Sequence, residues 1–313
     1  MNREFREIPD EATWLEWRKH DLTSTQIPAL FDLSPYHTRF ELYHAKKNGL
    51  VLPFRENERM AKGKRIEGYA ANEIAIAHGF AVSPANVYAR IPELRMASSF
   101  DFFVYCPTRG KGILEIKAVD TFRHKANWKD DEIPPHIELQ ARHQMFLADR
   151  EWVMVAAFTS IYEHHEYLFT RDRAYDEGFI AEARRFWDDV DAGREPTPDF
   201  TRDGAVIARL HSELEEDFAD KTLDDDFNET VAEYMRNKRE ADAFSAKADE
   251  LKAKMLFQIG EKRGAFSSRY KITAGMTNGS EGTLVTPEMV GERIGARAGY
   301  RQCLVKDLTK GKK

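Results

Sequence analysis

The sequence predicts an α/β fold, a mixed β-sheet core flanked by helices, followed by a C-terminal extension of one long helix and short strands. Two observations carry the core prediction. Helical spacing fills much of residues 11–78, and from residue 98 onward short apolar and aromatic runs alternate with helical spacing at 134–149 and 172–190. A third observation sets the extension apart: PTPDFTRDG (196–204) has the composition of a linker and precedes an acidic segment and a helical pattern at 228–259. The expected division is a core of residues 1–204 and an extension of 205–313.

Residues 11–20 suit a short helix, and LTST after it offers Thr23 or Thr25 as the cap of the next. Residues 38–48 give a second helical pattern that stops at Gly49. A third, at 58–78, sets Ile66, Ala70 and Ile74 on one face and stops at Gly79. SSFDFFVY (98–105) and GILEIKAV (112–119), joined by TRGKG, predict a β-hairpin. PPHIELQARHQMFLAD (134–149) returns to helical spacing after a proline start. WVMVAAF (152–158) is apolar throughout and suits a strand buried on both faces, with EHHEYLF (163–169) as its partner. Residues 172–190 form an amphipathic helix on Phe179, Ala183, Phe186 and Val190. In 228–259, Phe244, Ala248, Leu251, Met255 and Ile259 recur at helical steps, which predicts core packing or a subunit contact.

With 313 residues, 42% hydrophobic and 32% charged, the composition is that of an ordinary globular protein. No run of 18 apolar residues occurs, so no membrane span is expected. The two cysteines, Cys106 and Cys303, exclude a disulfide framework, a four-cysteine zinc site and an iron–sulfur cluster, and point to a reducing cytoplasm. A net charge of −6 does not itself indicate nucleic-acid binding, although net charge says little about a local groove. No GxxxxGK[ST] motif is present, which removes the usual sign of an ATP-driven helicase.

The chemistry-bearing residues gather on the predicted hairpin. Residues two apart on a strand share a face, so Glu115 and Lys117 point one way and Leu114, Ile116 and Ala118 the other. The turn brings Asp101 opposite Glu115. Two carboxylates beside a lysine form an oxygen donor set for a hard cation such as Mg²⁺, with an ammonium to orient water and offset phosphate charge. An isolated D…ExK of this kind is more often a surface pair. Glu67, in GKRIEGYAANEI, is a further carboxylate on the helix before the hairpin. Gln140 and Gln144, with His136, share a face of the helix after it. His164, His165 and Glu166 are adjacent on a strand and alternate faces, so they make a poor zinc chelate.

Five segments in order, W-x2-WR-x4-LTST, GKRIEG, SSFDFF, LEIK and Q-x3-QM, resemble the lambda exonuclease (YqaJ) branch of the PD-(D/E)XK nucleases over about residues 14–170. The resemblance implies a restriction-endonuclease-like sheet. It also implies a Mg²⁺- or Mn²⁺-dependent 5′-to-3′ exonuclease that digests duplex DNA from 5′-phosphorylated ends. Asp101, Glu115 and the main-chain carbonyl of Ile116 would then hold the metal, Lys117 would serve the attacking water, and Glu67 and Gln140 would complete the catalytic set. Arg18 and Thr25, with Ser24 as the competing hydroxyl, correspond to the 5′-phosphate contacts. Ser99–Phe100 departs from the superfamily's proline before the first aspartate, a position without chemistry. Further implications are a ring-shaped homotrimer around DNA, a single-strand annealing recombinase as partner, and a phage or prophage origin in a bacterial cytoplasm. The rivals are a structure-specific or restriction-like endonuclease on the same core and an inactive DNA-end-binding scaffold. Arg39 is the candidate for opening the duplex end.

Overall fold

In the computed structural model, which describes residues 1–50, 58–121, 124, 127–128, 132–212, 219 and 221–276 apart from the side chains of 58–62 and 64, the chain divides into two units, Met1–Leu210 and His211–Lys313. The first unit opens with β1 (Glu4–Glu7), α1 (Glu11–Lys19), β2 (Leu22–Thr23), a 3₁₀ turn at Ile27–Phe31, α2 (Arg39–Lys47) and α3 (Glu58–His78). Then come β3 (Ala81–Pro84), β4 (Val87–Ile91), β5 (Met96–Ser99), β6 (Phe102–Cys106) and β7 (Gly110–Ala118). After these follow α4 (Pro135–Ala148), β8 (Trp152–Phe158), β9 (His164–Thr170), α5 (Arg173–Ala192) and α6 (Gly204–Leu210). The predicted mixed sheet flanked by helices is present.

The caps are local in origin. Asp10 accepts from the Thr13 N–H at 2.7 Å to start α1, and Thr38 accepts from the Glu41 N–H at 2.9 Å to start α2. Thr23 and Thr25 cap nothing. Thr23 belongs to β2, and the 3₁₀ turn begins after Gln26 with a proline in its first turn, where a missing N–H costs nothing.

The described strands of the first unit form two sheets. One has the order β1-β4-β5-β2, the other β3-β6-β7-β8-β9. In the second, β7 pairs antiparallel with β6 and parallel with β8, and β9 returns antiparallel to β8. A parallel neighbour requires a crossover, and α4 lies in it. All seven residues of β8 are buried, as its unbroken apolar run requires. Its alternate residues serve two cores: Val153, Val155 and Ala157 pack with α4 and α5, while Trp152, Met154, Ala156 and Phe158 pack with α3.

SSFDFFVY is not one strand. Ser98 and Ser99 end β5 in the first sheet, and Phe102 begins β6 in the second. The chain changes sheets at Phe100–Asp101, because aspartate fits a strand ladder poorly and its carboxylate competes for a backbone N–H. The stretch 196–204 is not a free linker either. Asp203 is 1% exposed and accepts from the Thr38 hydroxyl at 2.6 Å and the Asp199 N–H at 2.7 Å, while Arg202 donates to the Ser34 carbonyl at 2.7 Å.

The second unit contains α7 (Asp225–Ile259) and a short hairpin, β10 (Gly264–Phe266) with β11 (Lys271–Thr273). No residue of α7 is buried, so among the described residues the core packing expected as one alternative does not occur there, and the other, a subunit contact, is an expectation still. Its helical spacing describes one face and says nothing of what covers it. The expectations for 277–313, including Cys303 and the basic tail, lie outside the described residues.

Candidate active site

The change of sheet places Asp101. Pairing of β6 with β7 ends at Phe102–Leu114, and just beyond it the Ile116 N–H donates to Asp101 Oδ2 at 2.9 Å. Asp101 therefore lies between strands and not on one, yet still opposite the Glu115–Lys117 segment. The N–H and C=O of a strand residue point to the same edge, so the Ile116 carbonyl opens on the Asp101 side as well.

Glu115 and Lys117 share a face, as period two demands. Lys117 Nζ donates to Glu115 Oε1 at 2.6 Å and to Gln140 Oε1 at 3.2 Å. From α4, Gln140 Nε2 donates to Glu115 Oε1 at 2.7 Å and Gln144 Nε2 to Glu115 Oε2 at 2.8 Å. Gln144 also reaches the Ser99 carbonyl at 3.4 Å, tying the helix to the strand end before Asp101. Glu115 is 3% exposed, and a carboxylate so deeply buried needs these partners on both oxygens. The two glutamines one helical turn apart supply them.

Electrostatics follow from this crowding. Burial, and then the charge of Glu115, hold the Asp101 carboxyl well above the usual carboxylate range, with Glu67 adding to the effect and Lys117 opposing it. Thus α3 brings the Glu67 charge within reach of the pair, as its place in the sequence suggests. Burial alone lowers the affinity of Lys117 for its proton, but Glu115 and Asp101 more than offset that and raise it. Lys117 is an ammonium at neutral pH.

The donor set fits a hard cation. Two sheltered, mutually repelling carboxylates and a carbonyl on the same edge are oxygen ligands, and Mg²⁺ needs only one or two carboxylates because it keeps its waters. Among the described residues no group of three or more His, Cys, Asp and Glu side chains is arranged as a richer cage. His164 and His78 instead contact Glu166 at 3.0 and 2.6 Å, and His165 stacks on His124 at 4.0 Å.

Arg18 and Thr25 come together: Arg18 Nη2 donates to Thr25 Oγ1 at 3.1 Å, and the guanidinium lies 4.5 Å from the Trp14 ring centroid. Asp21, the carboxylate nearby, is engaged by Arg90 at 2.8 Å and by the Tyr88 hydroxyl at 3.2 Å. Among the described residues no carboxylate pairs with Arg18. Lys46 donates to the Arg18 and Asp21 carbonyls, both at 2.7 Å, and burial together with the Arg18 charge pulls its ammonium down to about 7. Sequence reasoning missed Lys46, Asp21 and Arg90, since residues so far apart leave no periodic signal. Arg39 engages Glu182 and the Leu30 carbonyl.

Ser24 is placed differently from its neighbour. It is 3% exposed, and its Oγ lies 2.7 Å from Nδ1 of His143 on α4. This contact fixes the Arg18–Thr25 turn against the helix that carries Gln140 and Gln144. Complete burial pushes the His143 imidazole down to about 3. The unfolded chain takes up this proton near pH 6.5, so stability contributed by the neutral ring falls as pH drops from there toward 3. Between pH 7 and 4.5 the loss is expected to be roughly 2–3 kcal/mol. Urea unfolding at both pH values should show that increment in the wild type and lose it in His143→Gln; an identical pH dependence in the two proteins would contradict it.

Residues 13–151 match the family model of the YqaJ-like viral recombinase domain, a segment that holds every residue just described in the Asp101 and Arg18 clusters. Among solved structures, an alkaline exonuclease (LHK-Exo) from Laribacter hongkongensis is similar at 19% identity and a TM-score of 0.49, over 63% of this chain and 100% of that one. The same protein in complex with dAMP gives 20% and 0.47, again over 63% and 100%. A phage related exonuclease from Haemophilus somnus 129PT gives 15% and 0.37, over 60% of this chain and 91% of that one. No curated protein matches. Through residues 13–151 the chain is thus similar to the YqaJ-like viral recombinase domain.

Proposed function

We propose that this protein is a metal-dependent deoxyribonuclease that digests duplex DNA from 5′-phosphorylated ends in the 5′-to-3′ direction, leaving 3′ single strands for recombination. The observation that carries the reading is the convergence of Asp101, Glu115 and Lys117 at one point of β7, with two glutamines holding both oxygens of Glu115. A structural role alone does not call for two adjacent sheltered carboxylates, one of which is held against ionisation by burial and by the other.

Asp101, Glu115 and the Ile116 carbonyl would hold Mg²⁺ or Mn²⁺. A bound cation would supply Lewis-acid polarisation of the scissile phosphate and lower the pKa of water. Glu115 is held in one orientation by Gln140, Gln144 and Lys117, so the lone pair left on Oε2 is aimed before any ligand arrives. Lys117, already protonated, donates a hydrogen bond to the attacking water or a phosphate oxygen and stabilises charge developing there; it is not the base. Glu67 adds negative charge next to Asp101 and favours cation uptake.

Arg18 and Thr25 form the 5′-phosphate contact. A guanidinium without a carboxylate partner among the described residues, next to a hydroxyl, has the chemistry of a phosphate site, and an incoming anion restores the proton affinity that burial takes from Lys46. Ser24, through His143, keeps this contact in register with α4. The ring-shaped homotrimer, the annealing recombinase partner and a phage-type role in a bacterial cytoplasm belong to the same proposal. No described helix is long and apolar enough to cross a membrane.

The test is digestion of linear duplex bearing a 5′-phosphate or a 5′-hydroxyl, alongside closed circular duplex, with Mg²⁺ or EDTA. Mg²⁺-dependent loss of the 5′-phosphorylated linear DNA is expected, and Arg18→Ala should lose roughly 10-fold or more of the preference for phosphate over hydroxyl, the size of one charge-assisted contact. Cutting of the circle would move the assignment to an endonuclease. Binding without cleavage under any divalent metal would leave an end-binding scaffold.

A further inference from the structure

Beside the carboxylate cluster lies an aromatic pair that the chemistry above does not use. Tyr36, in the loop between the 3₁₀ turn and α2, is 72% exposed. Its ring stands edge-on to that of His136, with centroids 5.7 Å apart and an interplanar angle of 82°. His136 is on α4, one helical turn before Gln140, whose side chain contacts both Glu115 and Lys117. The pair therefore sits at the rim of the cluster, on the side from which α4 approaches it.

We propose that Tyr36, backed by His136, is a stacking platform for the nucleobase adjoining the scissile phosphate. This rests on the nuclease reading and adds to it how the substrate strand is held next to Lys117. Single exposed aromatics are common on protein surfaces, and this chain has several, so it is the position of Tyr36 beside the cluster that singles it out. Here the neighbouring groups select the partner, because a lysine and a cation-binding carboxylate pair attract a phosphate, and the phosphate brings a base with it. Every base has a π-face, so a single aromatic serves all four without reading sequence.

The supporting details agree. The charge of Lys117 reaches His136, and Tyr36 is among the groups near enough to act on Lys117, which places the pair within electrostatic range of the centre. Burial, then Lys117, lower the affinity of His136 for a proton, so at neutral pH it is an uncharged ring that orients Tyr36 without adding charge. The Ser34 hydroxyl accepts from the Tyr36 N–H at 3.2 Å and the His37 N–H at 3.0 Å, which fixes the loop backbone while the phenol ring projects outward.

The experiment measures binding, not turnover. The full-length protein in Ca²⁺, which takes the same oxygen ligands, is titrated onto 5′-phosphorylated duplex whose terminal nucleotide carries adenine, 2-aminopurine or no base. Anisotropy gives the dissociation constants and 2-aminopurine fluorescence reports stacking. The wild type should quench 2-aminopurine and bind the adenine end roughly 10-fold or more tightly than the abasic end, the size of one base–aromatic stack. Tyr36→Phe should keep both properties. Tyr36→Ala, at an exposed position that leaves the fold intact, should lose the quenching and bind both ends alike. If Tyr36→Ala keeps the adenine-to-abasic ratio, the platform is wrong while the nuclease reading stands. If the wild type binds no duplex end at all, the nuclease reading falls and takes the platform with it.

Discussion

Replacing Lys117 with methionine is expected to lower the turnover of 5′-phosphorylated duplex by roughly 10²–10³-fold, the usual cost of deleting one preorganised donor at a developing charge. The methionine keeps most of the aliphatic stem and its packing. What disappears is the ammonium bonded to Glu115 and Gln140. Because its donation strengthens as charge develops on the water or phosphate oxygen, its contribution should appear chiefly in kcat, with a smaller rise in KM from the lost attraction for the phosphate. A second consequence concerns Asp101. Lys117 opposes the burial and the Glu115 charge that hold the Asp101 carboxyl high, so without the ammonium the carboxyl ionises less readily. Mg²⁺ should consequently be needed at higher concentration in the variant at pH 6 than at pH 8, by a wider margin than in the wild type. Steady-state kinetics at saturating Mg²⁺ and a Mg²⁺ titration at the two pH values check both statements. A variant with wild-type kcat would remove Lys117 from the chemistry.

Gly112→Ala is expected to destabilise the first unit by roughly 1–3 kcal/mol, by overpacking and not by any change of backbone preference. A Cβ at position 112 would lie 2.2, 2.5 and 2.6 Å from three atoms of the Trp152 indole. That ring is 2% exposed and packs against Phe80 at 5.5 Å between centroids, so it has no free direction in which to move. Either the indole leaves its rotamer or β7 separates from β8. The second outcome would reach the candidate active site, because Glu115 and Lys117 lie farther along the same strand. Urea unfolding measures the loss, and the double variant Gly112→Ala/Trp152→Leu, which removes the obstructing ring, should show a favourable coupling relative to the two single changes. Simple additivity of the two changes would show that the contact is not what excludes a side chain there.

Much of this molecule was legible from local pattern. Asp10 and Thr38 begin helices where their side chains can accept from a backbone N–H three residues on, and Gly79, at φ +64°, lies just past the end of α3, a conformation that costs glycine little. The unbroken apolar run 152–158 announces a strand buried on both faces, and period two puts Glu115 and Lys117 on one face of β7. The carboxylates, the lysine and the two glutamines were likewise recognisable, since each sits in a short motif whose spacing survives folding. Less visible was the break inside SSFDFFVY. Nothing in those eight residues states that Ser99 pairs in one sheet and Phe102 in another; that depends on which partner strands are available. The stretch 196–204 misled for a related reason: its Pro, Gly and Asp content describes turn chemistry, and turn chemistry does not say whether the turn is packed. Asp203 is buried there by Thr38, a residue far away in the chain.

The sequence by itself determined the α/β class, most helix and strand positions, and the residue types of the Asp101–Glu115–Lys117 centre, because propensity, capping and periodicity act over a few neighbouring residues. Only the tertiary structure decided which of these residues meet. It set both oxygens of Glu115 against Gln140 and Gln144, turned Asp101 onto the Ile116 N–H at a change of sheet, buried Ser24 on His143 while leaving Thr25 to Arg18, and stood Tyr36 against His136. Those contacts span long loops, and their geometry is selected by the packing of whole elements, for which a linear pattern holds no local signal.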